Sequence, residues 1–310
     1  MSAGQASQRL SIGLPVFNGA RHLATAIESL LAQTYRDFEL IIVDNASTDS
    51  TSDICAAYAR RDARVRYHRN SANIGAAANW YLTLDLSSGH YFKWAADDDE
   101  YNPQFLQRCI DVLDRDPNVV LCYARAQTID DAGARGGRVE FRSDTASPSP
   151  SERLASCLSA DHLCIQLYGV IRTEVLRGTT RYSGYIGEDR NVLAEICLRG
   201  RVAEISEYLF LHRLSPNAWG ALVTAPNVST EELLAYDPSI DWGRERSTLK
   251  RVVNYFGAVS KVPMSPIERL KCYGFLMRFV GSKAADRLRQ TPISQALIRA
   301  SRRDSGAQSS

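Results

Sequence analysis

LSIGLPVFNGARHLATAIESLLAQTYRDFELIIVDNASTDST, residues 10–51, decides the fold class. Residues 10–17 form a short apolar run that ends at a turn, the pattern of a buried strand. From Asn18, a good helix N-cap, Leu23, Ile27, Leu30 and Leu31 recur at helical spacing. FELIIVD (38–44) is rich in β-branched residues and reads as a second strand. The polar NASTDST stretch then opens another helix, carrying Ile54, Cys55 and Tyr58. The alternation continues outward: strand VRYHR (65–69), a helix from NIGAAANWYLTL, strand HYFKWAA (90–96) broken by three aspartates, helix FLQRCIDVLD, and strand NVVLCYA (118–124). Strands alternating with helices of this length predict βαβ units and an α/β fold with a mainly parallel sheet flanked by helices.

Beyond residue 124 the pattern loosens. Residues 130–151 (DDAGARGGR, then SDTASPSPS) read as a long loop or lid. A helix is expected near 152–160, a strand near 165–171, a turn at SGYIG, a helix at EDRNVLAEICLRG and a strand over 202–214. After Asn217 the signals are helical and Arg-rich to about residue 303. Residues 1–8 and 304–310 are expected to be disordered, with a helical C-terminal region over 216–303.

The composition, 310 residues with 45% hydrophobic and 23% charged, excludes a mostly disordered or fibrous chain. A net charge of +2 excludes the strongly basic domain of a typical nucleic-acid binder. That total is uneven: residues 264–304 hold nine Arg/Lys and three Asp/Glu, so the remainder is net acidic. The longest charge-free stretch, Leu214 to Thr230, contains Pro216, Gly220 and Pro226 and is no membrane span. MSAGQASQ has no basic region followed by an apolar core, so no signal peptide is expected. Seven cysteines without a CxxC pair suggest neither a disulfide framework nor a zinc site, and point to a reduced, cytoplasmic compartment.

Five constellations are candidates for chemistry. Asp97, Asp98 and Asp99 follow a strand that reads as buried. Crowded carboxylates are costly unless a cation neutralises them, and oxygen-only ligands favour Mg²⁺ or Mn²⁺. The same residues also suit a solvated acidic turn before the helix near Asn102. Asp44, at the end of the second strand, can accept hydrogen bonds from a ribose or base edge, or serve an Asx-turn with Ser47 and Asp49. Pro15, Val16, Phe17 and Asn18 offer a backbone edge and an aromatic ring beside a nucleobase. Asn73-Ile74-Gly75 opens a helix where a backbone can approach a ligand closely. Glu188 and Asp189 begin a helix in which Asp189, Leu193 and Ile196 share a face. Asp189 is therefore expected to point toward the core or a cleft, as a general base would.

Taken in order, these motifs resemble the inverting glycosyltransferases of family 2, which have the GT-A fold. The resemblance covers about residues 8–215, so the expected catalytic domain is 9–215. It implies that Pro15, Val16, Phe17 and Asn18 line the nucleotide pocket and that Asp44 hydrogen-bonds the base. Asn73, Gly75 and Asn79 would belong to the nucleotide side, with Asp97. Asp98 and Asp99 would hold Mg²⁺ or Mn²⁺ against the diphosphate, although the literal D-x-D runs from Asp97 to Asp99. Glu188 and Asp189 match the catalytic acidic motif, with Asp189 as base. Relatives often carry His-Pro after the last core strand; here Ser215 stands at that position and His212 lies three residues earlier, read as structural.

The implied reaction is a single displacement from a nucleoside-diphosphate sugar, UDP by default with dTDP and GDP open. The implied acceptor is a glycan or lipid-linked hydroxyl in polysaccharide, glycolipid or glycoconjugate synthesis. No nucleic-acid partner is expected, and a homo-oligomer is left open. A nucleotidyltransferase would need a Gly/Lys-rich phosphate loop that LPVFNGARH lacks; an inactive nucleotide-sugar binder is disfavoured by the intact acidic pairs. In the basic tail, Ile267, Leu270, Gly274, Met277 and Val280/Gly281 share a helical face, with Arg269, Lys271 and Arg278 off it. Two readings follow: a helix packed on the catalytic domain with its charges in water, which is the expectation, or peripheral contact with the inner membrane surface.

Overall fold

The computed structural model describes residues 9–139, 145–159, 164–182, 185, 187–214, 237–238 and 244–289. Residues 1–8, Ser215, 216–236 and 290–310, for which disorder, a missing histidine or helix was expected, lie outside the described residues. Strands β1 (Leu10–Val16), β2 (Phe38–Asp44), β3 (Val65–Arg69) and β4 (Tyr91–Trp94) alternate with helices α1 (Ala20–Leu31), α2 (Thr51–Arg61) and α3 (Ala76–Asp85). There follow β5 (Glu100–Tyr101), α4 (Phe105–Arg115), β6 (Val119–Ile129), β7 (Arg135–Val139) and α5 (Pro150–Ser159). A 3-10 turn at Ile165–Tyr168 leads to β8 (Val170–Arg172), α6 (Thr173–Arg177), α7 (Glu188–Arg199) and β9 (Arg201–Arg213). Two further helices are α8 (Arg244–Lys261) and α9 (Pro266–Arg289).

One sheet takes the order β3-β2-β1-β4-β8-β6-β9-β5, with β7 paired to β6. β1 and β2 are buried at every residue because helices cover both faces. The first four strands are parallel. β8 is antiparallel to both β4 and β6, and β6 is parallel to β9. The two reversals cancel, so β6 and β9 run in the same sense as β1, β2 and β4. The carboxyl ends of all the long strands therefore share one edge, where ligands bind in open α/β sheets.

Two local expectations change. Residues 130–139 are not irregular: β7 folds back on β6 through a turn in which Gly133 has φ 82°. The stretch expected as a strand near 165–171 is a 3-10 turn followed by a three-residue strand. All seven cysteines are free and buried.

Helices α8 and α9 do not stand apart from the sheet. Tyr255, Ala258, Val259, Val262, Cys272 and Leu276 form one cluster with Leu154 of α5 and with Ala194 and Leu198 of α7. Leu276 is fully buried, so Leu276→Ala should cost about 2–5 kcal/mol through lost transfer energy and the cavity left behind. Because that cluster includes α7, urea unfolding followed by fluorescence and by circular dichroism should show one shared transition shifted to lower urea. A separate early transition for α8 and α9 would contradict the shared core.

Candidate active site

The acidic triplet sits at the carboxyl edge, in the turn between β4 and β5. Its three carboxylates point in different directions. Asp99 is wholly buried; its Oδ1 accepts from the Arg213 backbone N–H at 2.9 Å and lies 3.1 Å from His212 Nδ1. Its Oδ2 is buried without a hydrogen-bond partner. Asp97 lies against the start of α1: a Cβ at Gly19 would fall 1.8 Å from Asp97 Oδ2. Glycine at 19 is thus what lets a carboxylate approach that helix N-terminus. Burial and then Asp98 push Asp97 up to about 7. Burial and then Asp99 push Asp98 upward, with His212 and Arg213 opposing.

Two cations hold this turn. Arg213, nearly buried, donates from Nε to the Asp98 carbonyl at 2.8 Å and from its other nitrogens to the Asp130 carbonyl and the Glu100 carboxylate. Lys93 lies beneath, fully buried within β4. It donates to the Trp94 carbonyl at 3.0 Å and to the Tyr168 carbonyl, with its ammonium 3.8 Å from the Tyr101 ring centroid. Burial pulls Lys93 down to about 7, with Cys109 and Asp99 opposing. His212, read from sequence as structural, is thereby placed on the acidic turn. Burial would lower its pKa, but the bond and charge of Asp99 outweigh it and raise the ring.

The loops after β1 and β2 are laced together. Asn18 is not the N-cap of α1; that residue is Gly19, and Asn18 has φ 52°. Asn18 Oδ1 accepts from the Thr48 N–H at 2.8 Å, while its own N–H donates to Ser47 Oγ at 2.9 Å. Asp49 accepts from the N–H groups of Ala20 and Thr51, joining the first turns of α1 and α2. Pro15 and Val16 are buried in β1, so they meet a ligand at most through backbone; Phe17 and Asn18 reach the surface of the loop. Asp44 has no exposed surface. Its carboxylate accepts from the Ser47 N–H at 2.8 Å, the Tyr67 hydroxyl at 2.9 Å and Arg69 Nη1 at 2.6 Å. Of these partners Arg69 is half-exposed.

Asparagines line the next junction. Asn45 Nδ2 donates to Asn73 Oδ1 at 2.7 Å, and Asn45 Oδ1 accepts from the Ile74 N–H at 2.9 Å and from Asn70 at 3.0 Å. Gly75, at φ 90°, caps α3. Asn79, expected on the nucleotide side, is buried: it donates to the Val43 carbonyl and accepts from Asn70. Both ends of its amide are thus engaged within the chain, which holds the junction together. Asp237 caps the Ala76 N–H at 3.0 Å.

Glu188 and Asp189 occupy the first turn of α7, after Gly187 at φ 84°. Asp189 is exposed and accepts from the Arg190 N–H at 2.9 Å. It is therefore not in the core, and because α7 is buried on every side from Asn191 to Leu198, Leu193 and Ile196 mark no single inner face. Glu188 is half-buried, and burial, then Asp189 and Asp237, push it up to about 8. The charges of both acidic motifs act on Tyr168. Burial and then the charges of Asp99, Asp98, Asp189 and Asp97 hold its hydroxyl well above the ordinary range. Its ring lies 5.7 Å from Phe210 and 5.8 Å from Trp80. Tyr168, Lys93 and Arg213 were missed in the sequence. Lys93 alone carried a signal, as a charge inside a strand otherwise wholly apolar.

Among the described residues no three His, Cys, Asp or Glu side chains converge on one point as a complete metal cage would. The donors still fit a hard divalent cation that completes its shell with phosphate oxygens. Asp99 Oδ2 is an orphaned buried oxygen, and Asp98 beside it makes no ion pair among the described residues.

The raised Glu188 carboxyl generates a stability test. The folded protein holds this proton more tightly than the unfolded chain, so the contribution is full below about pH 4.5 and is lost as pH rises toward about 8. Glu188→Gln removes that loss. Its stability relative to the parent should rise by more than about 1 kcal/mol between pH 5 and 8 in urea titrations. A pH-independent difference would contradict the assignment.

Known proteins share the sequence pattern and the overall fold of this chain. Residues 11–178 match the sequence model of glycosyl transferase family 2. An uncharacterised glycosyltransferase of Rickettsia typhi is 34% identical over 125 residues, 40% of this chain and 38% of that protein. Glycosyltransferase GlyG of Streptococcus pneumoniae is 30% identical over 116 residues, 37% of this chain and 38% of its own length. The matches thus span well under half of these relatives. In overall fold the chain resembles residues 1–349 of TarS of S. aureus, solved with UDP, with TM-score 0.55, 16% identity, and coverage of 92% of this chain and 93% of that one. TarS is a GT-A glycosyltransferase, and the mixed sheet with flanking helices and C-terminal helices is that fold. With the family pattern matched across more than half of its length, the chain is a glycosyltransferase of family 2.

Proposed function

We propose that this enzyme moves a sugar from a nucleoside-diphosphate sugar to an acceptor hydroxyl, with inversion at the anomeric carbon. UDP is the default donor nucleotide, with dTDP and GDP open. What supports this reading is the acidic turn Asp97–Asp99 at the carboxyl edge of the sheet, with Asp99 Oδ2 buried and unpartnered, and the Glu188–Asp189 pair opening α7, in a chain whose residues 11–178 match glycosyl transferase family 2. One acidic group suits a diphosphate with its cation, and the other suits a proton acceptor.

In this reading Phe17, Asn18 and the Asn73–Gly75 junction border the nucleoside, with Asp44 acting through Tyr67 and Arg69. Asp97 stands beside the N-terminus of α1. Asp98 and Asp99 Oδ2 would hold Mg²⁺ or Mn²⁺. When bound, the cation supplies Lewis-acid neutralisation of the diphosphate. Asp189 takes the proton of the acceptor hydroxyl as its oxygen attacks the anomeric carbon. The bond from that carbon to the phosphate oxygen breaks on the opposite face, and the electron pair leaves with the nucleoside diphosphate. Glu188, pushed up to about 8, keeps its proton at neutral pH and so donates a hydrogen bond beside the base. The acceptor is a glycan or lipid-linked hydroxyl of a polysaccharide, glycolipid or other glycoconjugate.

Asp189→Asn removes the proton acceptor and keeps the shape. With a turnover assay in hand, kcat should fall by about 10²–10⁴ while the donor Kd stays within about twofold. The product's anomeric configuration by NMR should be opposite to the donor's. Retained turnover in the variant, or retained configuration, would refute the mechanism.

A further inference from the structure

The chemistry above makes no use of α9, and its exposed face is unusual. α9 packs on the rest of the protein through Cys272 and Leu276, both fully buried. At 100° per residue, the opposite side of the helix carries Ile267, Leu270, Gly274 and Met277. Ile267 is 69% exposed, Leu270 73% and Met277 66%. The helix is thus packed as expected, but its outermost face is apolar, not charged. The exposed cations Lys271 and Arg278 border one side of that stripe. On α8, Leu249 and Val253, one helical turn apart, are also exposed.

We propose that the outer face of α9 docks on an anionic phospholipid surface, with its axis in the membrane plane. Three observations select this occupant. The stripe is apolar where a water-facing helix carries polar residues. α8 and α9 together hold eleven Arg/Lys and three Asp/Glu, a charge complementary to anionic headgroups. A second copy packed face to face would bring Lys271 and Arg278 of both copies together, which like charges oppose. Among the described residues no helix is long and apolar enough to cross a membrane, so the contact is interfacial. The proposal goes beyond the transfer reaction and stands whether or not the donor and base assignments hold.

The test is flotation of the full-length protein with phosphatidylglycerol-containing vesicles and with pure phosphatidylcholine vesicles. Binding should favour the anionic vesicles and weaken as salt rises. Leu270→Glu/Met277→Glu should reduce the partition by about tenfold or more with an unchanged Tm, since both positions are exposed. Arg278→Glu, which leaves the apolar stripe intact, should reduce binding at low salt and have less effect at high salt. Absence of binding to anionic vesicles, or binding untouched by the double variant, would overturn the proposal. So would self-association that the double variant abolishes in the absence of vesicle binding, because the face would then belong to a second copy.

Discussion

Three consecutive aspartates at the end of a buried strand impose the constraint on which the site depends. Like charges this close repel: after burial, Asp98 raises the pKa of Asp97 and Asp99 that of Asp98. The chain answers with a buried guanidinium brought from the far strand β9. Arg213, the last residue of β9, reaches the Asp98 carbonyl and Glu100, and its backbone N–H reaches Asp99. Lys93 lies below, tied to the carbonyls of Trp94 and Tyr168. The parallel pairing of β6 with β9 delivers Arg213 to the same edge as the aspartates. Topology and electrostatics are in this sense one problem. What the protein leaves unsatisfied is Asp99 Oδ2, the oxygen that a bound cation would complete.

The fold was legible because the hydrophobic periods are clean. β1 and β2 read as buried runs, and α1 as an amphipathic helix with Leu23, Ile27, Leu30 and Leu31 inward. The residues that follow strand ends were legible as a set, since strand–loop–helix junctions gather at one sheet edge. Their individual contacts were not. Asn18 looks like a cap by type, but its φ of 52° and its bond to Thr48 depend on the neighbouring loop. Asp44 and Asn79 read as ligand contacts by type, and the tertiary partners that hold them, from β3 and from the Asn70 turn, carry no mark in the sequence. Tyr168 lies far in sequence from both acidic motifs and carries no motif of its own. It ends the 3-10 turn after Cys164, where the charges of both motifs act on its hydroxyl.

The near-neutral net charge of the chain conceals a division of labour. Asp97, Asp98 and Asp99 sit at the sheet edge, in the turn between β4 and β5. The positive excess gathers on α8 and α9, whose inner faces join α5 and α7 in one apolar cluster. Because α7 also carries Glu188 and Asp189 in its first turn, the basic helices buttress the element that presents the proposed base. An apolar outer face on α9 then fits a surface where donor chemistry on one side meets a lipid-borne acceptor on the other.

The central claim is that the unsatisfied acidic edge is a nucleoside-diphosphate and cation site. Thermal unfolding with UDP, dTDP or GDP, each with and without Mn²⁺, tests it most directly, because a ligand that binds only the folded protein raises its Tm. The account predicts a clear upward shift for one base with Mn²⁺, a much smaller shift without the metal, and loss of the metal effect in Asp98→Asn. No shift with any nucleotide and metal, or a shift that Asp98→Asn leaves intact, would contradict it.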